Sequence, residues 1–136
     1  MRFKQRGTSA VEFALILPLL LFVVDGVMEF SLVMYDKVIL TNAAREAARA
    51  GAMIQTVKLT TVEIAAVAES YCTSYLLSFG SPQTVVVAVN QNADPIFQTP
   101  LTVTVSYTYQ SVLMGNFLSA MNAPLVLTST ATHWHE

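Results

Sequence analysis

An α+β fold carrying a membrane anchor is predicted by three features of the 136-residue chain. An apolar run follows Glu12, and an alanine-rich helical stretch follows that run. After Gly80-Ser81-Pro82 the periodicity changes from helical to alternating. The expected architecture is a long N-terminal membrane-anchor helix, a second packing helix and a small three-stranded antiparallel sheet. The length allows one small domain plus one anchor.

Composition supports this division. Hydrophobic residues make up 54% of the chain and charged residues only 12%, about half the share usual in soluble domains. Part of such a surface is expected to lie against lipid or partners. Three of the seven basic residues, Arg2, Lys4 and Arg6, sit in the first six positions. They leave no basic patch for nucleic acid downstream. By the positive-inside rule they hold the N-terminus in the cytoplasm, so the remainder faces outward.

The twelve apolar residues from Phe13 to Val24 make roughly 18 Å of helix, short of a hydrocarbon core near 30 Å. That length suits a secretory signal, yet no small-x-small cleavage site follows; the run enters Asp25-Gly26-Val27-Met28-Glu29 instead. A retained anchor is favoured, with the helix continuing through Asp25 and Glu29, which stack four residues apart. A span over residues 8–35 reaches about 42 Å, with Phe30 and Tyr35 at the outer interface. Pro18, in mid-run, removes one backbone hydrogen bond and reads as a kink or a site of local unwinding. Glu12 is unusual: a carboxylate costs about 2.5 to 3.5 kcal/mol at a bilayer centre and less near an interface. It either sits at headgroup level or has a cationic mate.

From Val38 to Met53 the pattern is helical, with Ala43, Ala44, Ala47, Ala48 and Ala50 giving a small-residue face and high propensity. Arg45 and Arg49 stack at i,i+4, and Glu46 reaches Arg49 at i,i+3. This is either a solvated ion-paired face opposite a packed alanine seam, or a contact surface in which Ala43 and Ala47 admit another helix and the arginines meet its acids. Asp25 and Glu29 are the corresponding acidic contacts to partners. Gly51 is read as the end of the helix.

Residues 55–61 are expected to turn, with Thr60 or Thr61 capping a second helix that runs to about Leu77. Its packing stripe is read as Ile64, Ala68, Tyr71 and Tyr75, flanked by Ala65, Cys72 and Leu76, with Glu63 and Glu69 pointing away. Three strands follow, at 84–90, 101–109 and 125–133. The second alternates apolar with Thr or Ser, so one face goes to a core and the other stays wet. A loop over 110–123, with a helical turn around 112–118, joins the last two.

Chemical sites are sparse. Cys72 cannot form an intramolecular disulfide and reads as a buried apolar side chain or an intersubunit bridge. His133 and His135 share a strand face, but nothing else converges with them to complete a metal site, so no metal is expected and Trp134 is taken to anchor the strand end. No glycine-rich phosphate loop, Cys-x-x-Cys, His-Glu-x-x-His or Gly-x-Ser-x-Gly occurs, and neither enzymatic activity nor a cofactor is expected.

The N-terminal arrangement resembles the leader of type IV pilin precursors: basic residues, a glycine, and an acid at the fifth position beyond it, here Gly7 then Thr8-Ser9-Ala10-Val11-Glu12. The Glu12-Phe13 pair, the Leu17-Pro18-Leu19-Leu20-Leu21 run and the stretch Asn42-Ala43-Ala44-Arg45-Glu46-Ala47-Ala48-Arg49-Ala50 make residues 1 to about 52 similar to the TadE-like pseudopilins of Tad (Flp) pilus systems. The resemblance implies a leader at 1–7 cut between Gly7 and Thr8 by a prepilin peptidase, an assembly helix at 8–35, and a stem and periplasmic head at 36–136. It implies a minor pilin, single-pass in the bacterial inner membrane, whose partners are the peptidase, other pilin subunits, the inner-membrane assembly platform and the lipid bilayer, acting in pilus biogenesis, adhesion or assembly initiation. Without the leader, four basic and nine acidic residues leave a net charge of −5. Glu12 then neutralises the new α-amino group of a neighbouring subunit. The rival readings are an uncleaved signal-anchored envelope protein that scaffolds a secretion complex, and an anchored enzyme or binding module built on the head.

Overall fold

The apolar run and the alanine run form one helix. In the computed structural model, which describes residues 4–53, 58–78, 84–91, 98–111 and 125–135, helix α1 spans Lys4–Ala52, 49 residues and about 73 Å at 1.5 Å per residue. Pro18 lies inside it, and helical structure continues on both sides. Hydroxyls within α1 bond back one turn, Ser31 Oγ to the Val27 carbonyl and Thr41 Oγ1 to the Lys37 carbonyl, both at 2.8 Å, so these polar groups need no water.

Helix α2 spans Thr61–Tyr75. Thr60 starts it through a reciprocal capping box: Thr60 Oγ1 accepts from the Glu63 N–H at 3.3 Å, and the Glu63 carboxylate accepts from the Thr60 N–H at 2.7 Å. The bond from the Thr60 N–H, and then one that the Thr60 hydroxyl donates to the same carboxylate oxygen at 2.9 Å, hold the Glu63 carboxyl below the usual range. The packing stripe differs from the sequence reading. Ile64, Ala68 and Cys72 are buried, with Leu76 beyond the helix end, whereas Tyr75 is exposed and Tyr71 half-buried. The two tyrosine rings pack on each other at the rim, centroids 4.8 Å apart. Aromatic bulk suits a rim, while small residues at i and i+4 let α2 lie close to α1.

Strands β1 (Val85–Asn90), β2 (Pro100–Tyr109) and β3 (Leu125–Trp134) form one antiparallel sheet in the order β1-β2-β3. Val87 pairs with Val105, and Val105 with Ser129. The alternation in β2 is realised: Leu101, Val103, Val105, Tyr107 and Tyr109 are buried. The opposite face carries cross-strand hydroxyl pairs, Thr102 with Thr132, Thr104 with Thr130 and Ser106 with Thr128, at 3.0 to 3.3 Å. The expected loop over 110–123 and the turn beginning at 55 fall largely outside the described residues.

The stem of α1 packs on β2 and β3 while α2 packs on β1 and on α1, so two helices share the covered face of the sheet. Leu40, Ala43, Ala44 and Ala47 are fully buried in this layer. The helix ends at Ala52, one residue past the Gly51 read as its end. A Cβ at Gly51 would stand 2.6 Å from both Ile64 Cδ1 and Leu101 Cδ2, so helix, helix and sheet approach closely at this glycine. The C-terminal end also departs from expectation. Trp134 is 59% exposed and anchors nothing, whereas His135, just past β3, is buried and backbone-paired to Thr99 and Gln98, each at 3.0 Å.

Candidate assembly segment and polar collar

Every residue of α1 from Thr8 to Val24 is exposed. Leu15, Leu19 and Phe13 have no cover from the head, and neither does Glu12. Gly7 and Thr8 lie in the first turns of α1. The head first meets the helix at Glu29, the earliest buried residue of α1. The uncovered stretch from Thr8 to Met28 therefore measures roughly 31 Å, the thickness of a hydrocarbon core. Such a helix, of mean hydropathy 2.3 over its most apolar window, fits a single-pass membrane anchor. The head first packs on the helix at Glu29, where this stretch ends.

At that level α1 and β2 make a polar collar. Asp36 is fully buried; its Oδ1 accepts from the Leu77 N–H at 3.3 Å, and its Oδ2 has no hydrogen-bond partner. Burial pushes the Asp36 carboxyl above its usual range, and the Leu77 bond only partly offsets this. Tyr107 and Tyr109 face the same region from β2. Burial first, and then neighbouring carboxylates, Asp36 for Tyr107 and chiefly Glu29 for Tyr109, raise both phenols. The Glu29 carboxylate stands beside the Tyr109 hydroxyl, although that Oη lacks a well-formed hydrogen bond. Around the collar, Lys37 Nζ donates to the Thr128 carbonyl on β3, Ser129 Oγ donates to Thr41 Oγ1 at 3.0 Å, and the Tyr35 hydroxyl donates to the Tyr75 carbonyl at 3.2 Å.

The residues singled out from sequence thus separate. Glu29 faces into its own head while Asp25 remains half-exposed. Ala43 and Ala47 are buried within the same chain, and Arg45 and Arg49 are exposed. Asp36, Tyr107 and Tyr109 were not recognised as a group. The available signal was an acid seven residues after Glu29, on the same side of the helix, together with two phenols at alternate strand positions.

Residues 7–49 match the family model of the TadE-like proteins. The match starts at Gly7 and ends three residues short of the end of α1, leaving the head outside it. The match suggests a link with Tad pilus systems. No curated protein and no solved structure matches the chain.

Two further reactive groups, Cys72 and His135, are enclosed. Cys72 is a free, buried thiol, pushed up to about 11 by burial and then by Glu69, so at neutral pH it is a protonated, packed side chain. His135 has neither ring nitrogen hydrogen-bonded, and burial, with Lys58 nearby, lowers its pKa. His133 on β3 is exposed. Among the described residues no three His, Cys, Asp or Glu side chains converge in a way that would hold a metal.

Proposed function

We propose that this chain is a minor pilin, or pseudopilin, of a Tad (Flp) pilus. A prepilin peptidase cuts it between Gly7 and Thr8, and the mature subunit serves pilus biogenesis as an assembly initiator or as a minor component with a part in adhesion. Residues 1–7 are the leader. Before assembly the anchor lies in the bacterial inner membrane with the N-terminus cytoplasmic and the head periplasmic. The assembly platform and the other pilin subunits are its partners.

The observation that carries this reading is a bare apolar helix of bilayer length that begins beside Gly7 and ends where the head docks. A rigid helix continuous with its head can be withdrawn from lipid as one body. Cleavage creates an ammonium at Thr8, and Glu12, four residues further on and exposed, is placed to neutralise it on a neighbouring subunit. In a bundle that excludes water, both ions need such a partner.

The N-terminal mass of the chain from cells containing the peptidase tests the reading. The expected N-terminus is Thr8, and Gly7→Leu is expected to leave the leader attached and abolish assembly. An intact leader on the wild-type chain instead supports the uncleaved scaffold. Glu12→Gln is expected to permit cleavage and prevent incorporation; normal incorporation would remove the electrostatic role of Glu12.

A further inference from the structure

The base of the head is apolar all round α1. On the helix itself Phe30 is 63% exposed and Tyr35 43%; Tyr75 and Leu77, at the end of α2, are 53% and 39%; Leu125 and Val126, at the start of β3, are 41% and 53%. These six residues come from three elements and meet near one level. Tyr35 donates to the Tyr75 carbonyl, the Leu77 N–H donates to Asp36, and Leu125 pairs across the sheet with Tyr109, whose hydroxyl stands beside Glu29. Charge is withheld from this surface: Glu29 and Asp36 are buried, and the Lys37 ammonium is bonded to the Thr128 carbonyl. Residues 110–124, which join β2 to β3 at this end, include no charged side chain.

An apolar patch on one side of a molecule suits a partner protein, but this belt surrounds the axis. Taking Glu29 as the side that faces the head, Phe30 lies about 100° to one side of it and Tyr35 about 120° to the other. A lipid surface is the cover that meets every side at one height. The bare stretch of α1 leaves the hydrocarbon core at about Met28, and the headgroup layer beyond it is roughly 5 to 8 Å deep. Phe30 and Tyr35 branch from the helix about 3 and 10 Å past Met28, and helical side chains lean back toward the N-terminus, which brings both rings toward that layer. Tyrosine favours this zone, where its ring meets apolar groups and its hydroxyl polar ones. We propose that the base of the head is seated in the headgroup layer on its own side of the membrane, with Tyr75, Leu77, Leu125 and Val126 dipping into lipid beside the helix. Drawing the anchor out of the bilayer must then also lift an apolar base from lipid. The proposal rests on the anchor reading of the stretch from Thr8 to Met28 and is independent of cleavage at Gly7.

Depth measurements on the full chain test the seat. The chain is placed in vesicles of phosphatidylcholine and phosphatidylglycerol whose acyl chains are brominated near the headgroup. A polarity-sensitive fluorophore is attached to Leu19→Cys, Leu77→Cys, Val126→Cys or Thr130→Cys, with buried Cys72 retained and the wild-type chain as the labelling blank. Thr130 shares the outward side of β3 with Val126 but stands about 13 Å further along the strand, beyond the headgroup layer. Quenching at positions 77 and 126 is expected to exceed that at 130 at least about threefold. Equal quenching at 126 and 130, whether weak or strong, overturns the seat. Position 19 reads the anchor separately: quenching at 19 without quenching at 126 removes the seat and leaves the anchor, whereas no quenching at 19 removes both. Val126→Glu supplies a second arm. It is expected to lower the quenching at position 77 about twofold by pulling the base toward water, with the near-UV circular dichroism of the head unchanged. Full quenching at 77 in that variant would mean that the anchor alone holds this position near lipid, and overturns the proposal.

Discussion

The two halves of α1 share one backbone helix and differ in nearly every other respect. From Thr8 to Val24 the side chains are apolar on almost all sides and all are exposed. From Ile39 to Ala52 small residues occupy one side, and Leu40, Ala43, Ala44 and Ala47 are fully buried there. A helix meant for lipid has no preferred side, because every direction offers the same solvent. A helix that supports a sheet has one side only, and alanines bring the backbone close to it. The two glycines show the same division: a Cβ at Gly26 would meet nothing within 4 Å, whereas one at Gly51 would meet Ile64 and Leu101 at 2.6 Å.

Matched truncations give the largest test of this division. Leu40→Ala removes a side chain buried between α1 and the head and is expected to lower head stability by about 2 to 5 kcal/mol, as leucine truncation in a packed core does. Leu20→Ala, in the bare half, is expected to change it by less than about 0.5 kcal/mol. Thermal unfolding in detergent micelles, followed by near-UV circular dichroism, reads both. Equal losses would mean that the anchor is folded against the head.

Substitution of the glycines sharpens the comparison. Gly51→Ala forces a methyl into the contact with Ile64 and Leu101 and is expected to cost about 1 to 3 kcal/mol, the usual penalty of overpacking. Gly26→Ala enters open space and should leave the head unfolding transition unchanged while raising helix content slightly. If Gly51→Ala is neutral, the two side chains shift at no cost and the close approach is not a constraint.

The elements were legible where local chemistry dominates. The capping pair Thr60 and Glu63, the alternation of β2 and the unbroken helical pattern of α1 are local signals, and each element lies within a residue or two of its expected place. Gly51 was read as a helix end, and the helix does stop one residue later, but its close packing on Ile64 and Leu101 was not legible, because only the neighbours reveal that use. Trp134 was misread because its bulk suggested an anchor, whereas the alternation of β3, inward at Leu127, Ser129 and Ala131, carries on to place Trp134 outward and His135 inward. The Asp36 collar depends on β2 lying antiparallel along α1, a tertiary fact that no window of sequence contains. In the candidate assembly segment, the acid and the apolar run were visible at once, whereas the point where the anchor gives way to the head required the burial of Glu29.

Asp36 offers the smallest and most specific test, because it is the acid that marks the covered half of the helix. Its folded-state pKa lies above the ordinary 3.8, so the folded chain holds this proton more tightly than the unfolded chain does. Its contribution to stability is therefore fully present below pH 3.8 and is lost as pH rises through the folded value. At neutral pH the buried, half-satisfied carboxylate is a cost. Asp36→Asn keeps an oxygen for the Leu77 N–H and carries no charge, so it is expected to stabilise the head by on the order of 1 kcal/mol at pH 7. The gain should shrink as pH falls toward 4. Parallel melting curves of the wild-type chain and the variant between pH 4 and 8 provide the measurement. A loss of stability with Asp36→Asn across the whole range would mean that the carboxylate is paired in the folded protein, and that the collar holds the stem to the sheet by charge rather than despite it.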